Sequence, residues 1–114
     1  MEQFTSFIEE STAKLQQEEK DLNISDRKDE ANLVKVKINI YGVCKTLYVV
    51  VTKTNSADAV KDAYVKKLTN MLHTWQESYE KAKKYNDVTK LVIEEIKLQT
   101  LEEIRNKFVE TWEE

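Results

Sequence analysis

The sequence predicts an α+β fold in which a helix precedes a β-hairpin and two long antiparallel helices follow it (α-β-β-α-α), with the hairpin packed on the helices. Three observations predict this class. The 114-residue chain has no proline and one glycine, so it must consist of long elements joined by few turns. That glycine, Gly42, lies in the one stretch rich in β-branched residues. Apolar residues recur at helical spacing on both sides of this stretch. At this length the chain, 1–114, is a single domain.

The first helix is predicted over residues 2–22. Apolar side chains share one face of it at helical spacing, namely Phe4, Ile8, Leu15 and Leu22. Asn23 is a suitable left-handed stop for this helix. The segment 23–32 is polar and has no persistent apolar stripe, so we expect a loop there.

A β-hairpin is predicted over residues 33–53, with Gly42 and Val43 as a two-residue type II′ turn, because glycine is favoured at the first position of that turn. The register pairs aliphatic residues on one face, namely Val34 with Val51, Val36 with Val49, and Ile38 with Leu47. The opposite face carries Lys35, Lys37 and Tyr48. An isolated hairpin is marginal in water, so its aliphatic face must pack on helices, or its edge must pair with another chain.

Two further helices are predicted over residues 57–85 and 88–112. The first has a continuous apolar stripe that includes Trp75 and Tyr79. Asn86 is suited to end it and Asp87 to cap the next helix. A short turn between helices of similar length predicts an antiparallel pair. One continuous helix through both segments is the alternative.

The last helix has apolar residues around most of its circumference, which predicts burial on more than one side. One side would face its own subunit and the other a second molecule. We therefore expect a homodimer, buried through this helix, the exposed hairpin edge, or both. The residues expected at this partner or dimer interface are Leu91, Leu98, Val109 and Trp112.

The net charge of −3 is too small to indicate a partner, but the charges are unevenly distributed. Residues 32–54 contain four lysines and no acid, whereas residues 87–114 contain eight acids and four bases. This pattern is typical of complementarity within one molecule. It also fits a basic or an acidic surface that meets a partner.

No pattern of residues indicates catalysis, a cofactor or a metal. The single histidine, His73, falls on the polar side of its helix, and the single cysteine, Cys44, has no histidine or acid arranged near it in sequence. One glycine cannot build a glycine-rich phosphate loop. We therefore expect a non-enzymatic protein without a cofactor. A lone cysteine and an N-terminus without signal-peptide features favour a cytoplasmic location.

By elimination, the sequence predicts a protein–protein interaction module. Small acidic proteins of this composition are often inhibitors or adaptors, and an architecture of helix, hairpin and two helices occurs among toxin-immunity and phage anti-defence (anti-CRISPR-type) proteins. The alternative is a nucleic-acid-binding protein. Its binding face would be the lysine- and tyrosine-bearing side of the hairpin, with Lys35, Lys37, Lys45 and Tyr48.

Overall fold

The computed structural model describes residues 2–112, and 92% of them are helical. A short 3₁₀ turn at Ala57–Ala59 precedes the third helix. The four α-helices are α1 at Glu2–Ile24, α2 at Lys28–Thr54, α3 at Val60–Lys84 and α4 at Val88–Thr111.

The predicted α+β class and the β-hairpin are both wrong, because residues 2–112 contain no strand. The whole stretch predicted as a hairpin lies within α2, and Gly42 lies in the middle of that helix rather than in a turn. The predicted loop at 23–32 is wrong as well, since α2 begins at Lys28. The left-handed residue after α1 is Asp26, with φ 58°, rather than Asn23.

A helix wins over a hairpin in this segment because the same residues also form a helical stripe. Val34, Tyr41, Cys44 and Val51 are buried, and their spacing is that of one helix face. β-Branched residues cost a helix only about 0.5 kcal/mol each. Burial of each such side chain contributes about 1.5–3 kcal/mol, so tertiary packing overrides the local preference.

The helices predicted at residues 2–22, 57–85 and 88–112 correspond to α1, α3 and α4, within a few residues at each end. The turn between α3 and α4 is also as predicted. Asn86 is left-handed, with φ 55°, and the Asp87 carboxylate accepts a hydrogen bond from the Lys90 backbone N–H at 3.1 Å. The alternative of one continuous helix is therefore wrong.

The chain contains two copies of one helical hairpin, offset by 60 residues. The α1–α2 turn has Asp26 at φ 58° and the α3–α4 turn has Asn86 at φ 55°. In both turns the next residue donates a backbone hydrogen bond to the carbonyl five residues earlier, at 2.8 Å from Arg27 and at 3.0 Å from Asp87. The two connections therefore have the same geometry.

Burial repeats at the same offset. Within residues 2–112 the two halves are identical at only three pairs, namely Gln16 and Gln76, Lys37 and Lys97, and Val49 and Val109. Both members of each of the following pairs are nevertheless buried: Phe4 and Tyr64, Ile8 and Leu68, Val34 and Glu94, Ile40 and Thr100, Tyr41 and Leu101, Cys44 and Ile104, and Val51 and Thr111. The two hairpins thus share a core pattern rather than a sequence.

The centre of the core is a quartet of aromatic rings, one from each helix: Phe4, Tyr48, Tyr64 and Phe108. The ring centroids of Phe4 and Tyr48 lie 5.4 Å apart, and those of the equivalent pair, Tyr64 and Phe108, lie 4.7 Å apart. All contacts are edge-to-face, the arrangement aromatic pairs prefer. The equivalent distances between the hairpins are also similar, 5.0 Å for Phe4 and Phe108 and 5.3 Å for Tyr64 and Tyr48, so the two hairpins contribute equivalent rings to the quartet.

The molecule is more extended than most chains of its size. The hairpins pack on each other mainly through α2 and α4, and the dimensions are 45 × 35 × 21 Å. The radius of gyration is 15.5 Å, against about 13 Å for a compact domain of this length. The accessible surface of 7554 Å² exceeds the roughly 6,500 Å² of a compact monomer of this mass. The fold therefore leaves additional surface for contact with other molecules.

Candidate functional site: the outer faces of α2 and α4

The four residues predicted at a dimer interface are only partly covered by their own subunit. Leu91 and Leu98 are half-buried and Val109 is 47% exposed. Trp112 is half-buried, with its ring 5.4 Å from that of Phe108. The homodimer through these residues stays a prediction.

The four residues of the predicted nucleic-acid face do not form one face, because α2 is a helix. The Nζ atom of Lys35 lies 3.7 Å from a Glu19 carboxylate oxygen. That of Lys45 lies 3.8 Å from a Glu9 oxygen. Lys37 is half-buried, and Tyr48 packs within the aromatic quartet. Within residues 2–112 these four side chains therefore do not combine into a lysine face with an exposed aromatic ring.

The single cysteine is buried and the single histidine is exposed. Cys44 is fully buried, and burial raises the pKa of its thiol to about 12, so the nucleophilic thiolate is scarce at neutral pH. The Tyr64 hydroxyl donates a hydrogen bond to the Cys44 carbonyl at 2.7 Å and fixes the backbone there. His73 is exposed, and its Nε2 lies 3.2 Å from a Glu77 oxygen. Among residues 2–112 no group of acidic, histidine or cysteine side chains could hold a metal ion.

Glu94 is a buried acid that sequence reasoning did not identify. Only 6% of the residue is exposed, and its Oε2 accepts no hydrogen bond from the described residues. Lys97 provides a charge partner, with Nζ 3.5 Å from that oxygen and 4.8 Å from the Trp75 ring centroid. The equivalent position in the first hairpin is the buried residue Val34. Glu94 therefore occupies a position that the fold also fills with an aliphatic side chain.

The solvent-facing side of α2 consists of uncharged, mostly small residues, and it lacks acids. We define the α2 outer face as the exposed residues Asn39, Gly42, Val43, Thr46 and Val50. Val43 and Val50 are 46% and 45% exposed, and a Cβ atom added to Gly42 would meet nothing within 4 Å. No acid occurs between residues 31 and 57.

The equivalent side of α4 is acidic. We define the α4 outer face as the exposed residues at the same positions plus 60, namely Gln99, Glu102, Glu103, Asn106 and Glu110. These five residues, with Phe7 and Lys107, line an open groove between α1 and α4. Burial, and to a smaller extent the nearby Glu103 carboxylate, raises the pKa of Tyr41 to about 12. Glu102 has no ion-pair partner among residues 2–112.

The sequence prediction missed both faces because it placed Gly42 and Val43 in a turn. The available signal was the glycine itself, which is unusual in the middle of a segment whose core residues also have helical spacing. The repeat was hidden because it conserves burial rather than residue identity.

None of the helices within residues 2–112 is long and apolar enough to span a membrane. Comparison with family models, with curated proteins and with solved structures gives no match.

Proposed function

We propose that the protein is a non-enzymatic protein-binding module, an inhibitor or adaptor, which docks its partner on the α2 outer face. The observation that carries the proposal is Gly42. It lies in the middle of a helix and is exposed, and no side chain of its own subunit requires a glycine there.

Glycine at such a position has a cost. It destabilises a helix interior by about 0.5–1 kcal/mol relative to alanine, because the unfolded glycine has more conformational freedom to lose. A Cβ atom would meet nothing within 4 Å, so packing inside the subunit does not offset this cost. Close approach of a second backbone is a general reason for a glycine, and it would explain this one.

The chemistry around Gly42 favours a partner that covers exposed valines and brings acids to the bordering lysine. The exposed valines Val43 and Val50 would be covered by such a partner. Lys53 is exposed at the end of the face and has no ion-pair partner among residues 2–112. An apolar centre with a charged rim is the usual anatomy of a protein interface.

The other classes have less support. The single thiol is buried with a raised pKa, and the single histidine is exposed beside one glutamate, so neither has the surroundings of a catalytic group. The nucleic-acid alternative loses its stacking platform, because Tyr48 packs in the core. The comparison with toxin-immunity and anti-defence proteins depended on a β-hairpin, and no strand occurs in residues 2–112.

The test is site-directed photo-crosslinking in extracts of the native host. A photoreactive amino acid replaces Thr46 on the α2 outer face, and a matched variant carries it at the exposed His73 on α3. We expect a protein adduct from position 46 that is absent at position 73 and is lost when Val50→Asp is added. Equal adducts from both positions, or none from position 46, would contradict the proposal.

A further inference from the structure

The two outer faces occupy equivalent positions but carry opposite chemistry. At three of the five pairs an uncharged residue of α2 corresponds to a glutamate of α4: Gly42 and Glu102, Val43 and Glu103, and Val50 and Glu110. The two remaining pairs, Asn39 with Gln99 and Thr46 with Asn106, are polar in both. The acidic character is thus confined to one face.

Positive charges border the α2 outer face. Lys53 lies at its C-terminal end and Lys35 one turn before Asn39, and both are exposed. At the 60-residue offset, the counterpart of Phe7 in the α1–α4 groove is the exposed residue Lys67. Lys67, like Lys53, has no ion-pair partner among residues 2–112. One chain therefore carries a lysine-bordered apolar face and an acidic face.

We infer that the partner docked on the α2 outer face is the α4 outer face of a second copy of this chain. This inference rests on the proposed function and names the partner. Gly42 has no side chain and Thr46 has a short one, so they leave a shallow trough on α2 that the longer glutamate side chains of α4 can enter. The methylene groups of the glutamates cover Val43 and Val50, and their carboxylates reach the bordering lysines.

A symmetric contact between two α2 outer faces does not fit these charges. In an antiparallel pair crossing near Gly42 and Thr46, Lys35 of one copy would approach Lys53 of the other. Glu19 lies 3.7 Å from Lys35, but no acid between residues 31 and 57 is present to neutralise Lys53. Like charges across an interface disfavour that arrangement.

The contact joins two different faces of the chain, so a copy bound through one outer face keeps its other outer face for a further copy. Such heterologous contacts build rings or open filaments. The inference is therefore head-to-tail association that continues past two copies rather than a symmetric homodimer.

The test is sedimentation equilibrium of the purified full chain and of variants whose helical circular dichroism is unchanged. For the wild type we expect the average mass to increase with concentration beyond that of a dimer. We expect Val50→Asp, which places an acid on the α2 outer face, to weaken association at least tenfold. The matched control is Val88→Asp, because Val88 is also an exposed valine but is the first residue of α4, about three turns before the α4 outer face begins at Gln99. It should associate like the wild type.

Mixing two variants tests the head-to-tail geometry directly. In the double variant Glu102→Lys, Glu110→Lys the α4 outer face can no longer bind, whereas the α2 outer face is unchanged. In the Val50→Asp variant the α2 outer face can no longer bind, whereas the α4 outer face is unchanged. Each alone should be monomeric, and their mixture should form a 1:1 complex that grows no further. A mixture that stays monomeric would overturn the inference, as would a wild type that is monomeric up to about 1 mM.

If Val88→Asp abolishes association while Val50→Asp does not, the interface lies at Val88 and the inference is wrong. A monomeric wild type that still gives the position-46 adduct in host extracts refutes self-association and leaves the proposed function standing. Loss of that adduct refutes the proposed function as well.

Discussion

Replacing Gly42 with alanine should stabilise the isolated subunit by about 1 kcal/mol. The residue lies at the middle of α2, is exposed, and has room for a Cβ atom. The gain is the difference in helix propensity between glycine and alanine, about 0.8–1.0 kcal/mol. The entropy of unfolding is about 2.1 cal/mol/K per residue, so the melting temperature of this chain should rise by about 4 °C.

The assay is urea and thermal unfolding followed by circular dichroism at low micromolar concentration, where weak association does not contribute. Glu102→Ala is the control, because Glu102 occupies the equivalent exposed position of α4. Glutamate and alanine differ little in helix propensity, so that change should stay within about 0.4 kcal/mol. Association measured at high concentration should weaken in Gly42→Ala, since the added methyl group occupies the trough.

The sign of the effect separates a helix from the hairpin that the sequence predicts. In a type II′ turn the glycine would have positive φ, and alanine would destabilise the protein by more than about 1 kcal/mol. A lower melting temperature for Gly42→Ala would therefore refute the helical account of residues 33–53. Higher stability with unchanged association would refute the explanation of why glycine occurs there.

Three further predictions concern buried polar groups. Tyr64→Phe removes the hydrogen bond to the Cys44 carbonyl and should lower the free energy of unfolding by about 1 kcal/mol. The control Tyr48→Phe should lower it by less. Equal decreases for the two variants in urea unfolding would contradict this prediction. Glu94→Val should raise the free energy of unfolding by about 1 kcal/mol, because the substitution removes a buried oxygen without a hydrogen bond from a position where the first hairpin has Val34. A decrease of more than about 1 kcal/mol would instead show that the ion pair between Glu94 and Lys97 is net stabilising. Burial raises the pKa of the Cys44 thiol from 9.0 to about 12. Below pH 9 the thiol is protonated in both the folded and the unfolded chain, and its full contribution to the free energy of unfolding is present. Between pH 9 and 12 only the unfolded chain loses this proton, so the free energy of unfolding falls by about 1.4 kcal/mol per pH unit. Cys44→Ala should flatten the stability profile over that range, and an unchanged profile would contradict the assignment.

The sequence was sufficient for α1, α3 and α4 because their signals agree. In α3 the apolar stripe, the left-handed Asn86 and the capping residue Asp87 all indicate the same boundaries. It was insufficient for α2 because two patterns compete there. Alternating valines and a central glycine favour a hairpin, whereas the buried set from Val34 to Val51 has helical spacing. Packing against the other three helices decides between them, and a local pattern does not contain that information.

The candidate site depends on this same segment. With Gly42 in a turn, Val43 and Val50 belong to a strand, and no helical outer face exists to compare with α4. The α4 outer face, with Glu102, Glu103 and Glu110, looks like an ordinary solvent-exposed side of a helix unless the 60-residue repeat is known. The repeat pairs Phe4 with Tyr64 and Cys44 with Ile104, which are equivalent in burial and different in identity.

The central claim is that the α2 and α4 outer faces bind each other across copies, and a dilution series of amide NMR spectra tests it most directly. As the concentration falls from about 1 mM, the account predicts shift changes confined to residues 35–53 and 99–110. Spectra independent of concentration, or changes clustered at Leu91 and Leu98, would contradict it.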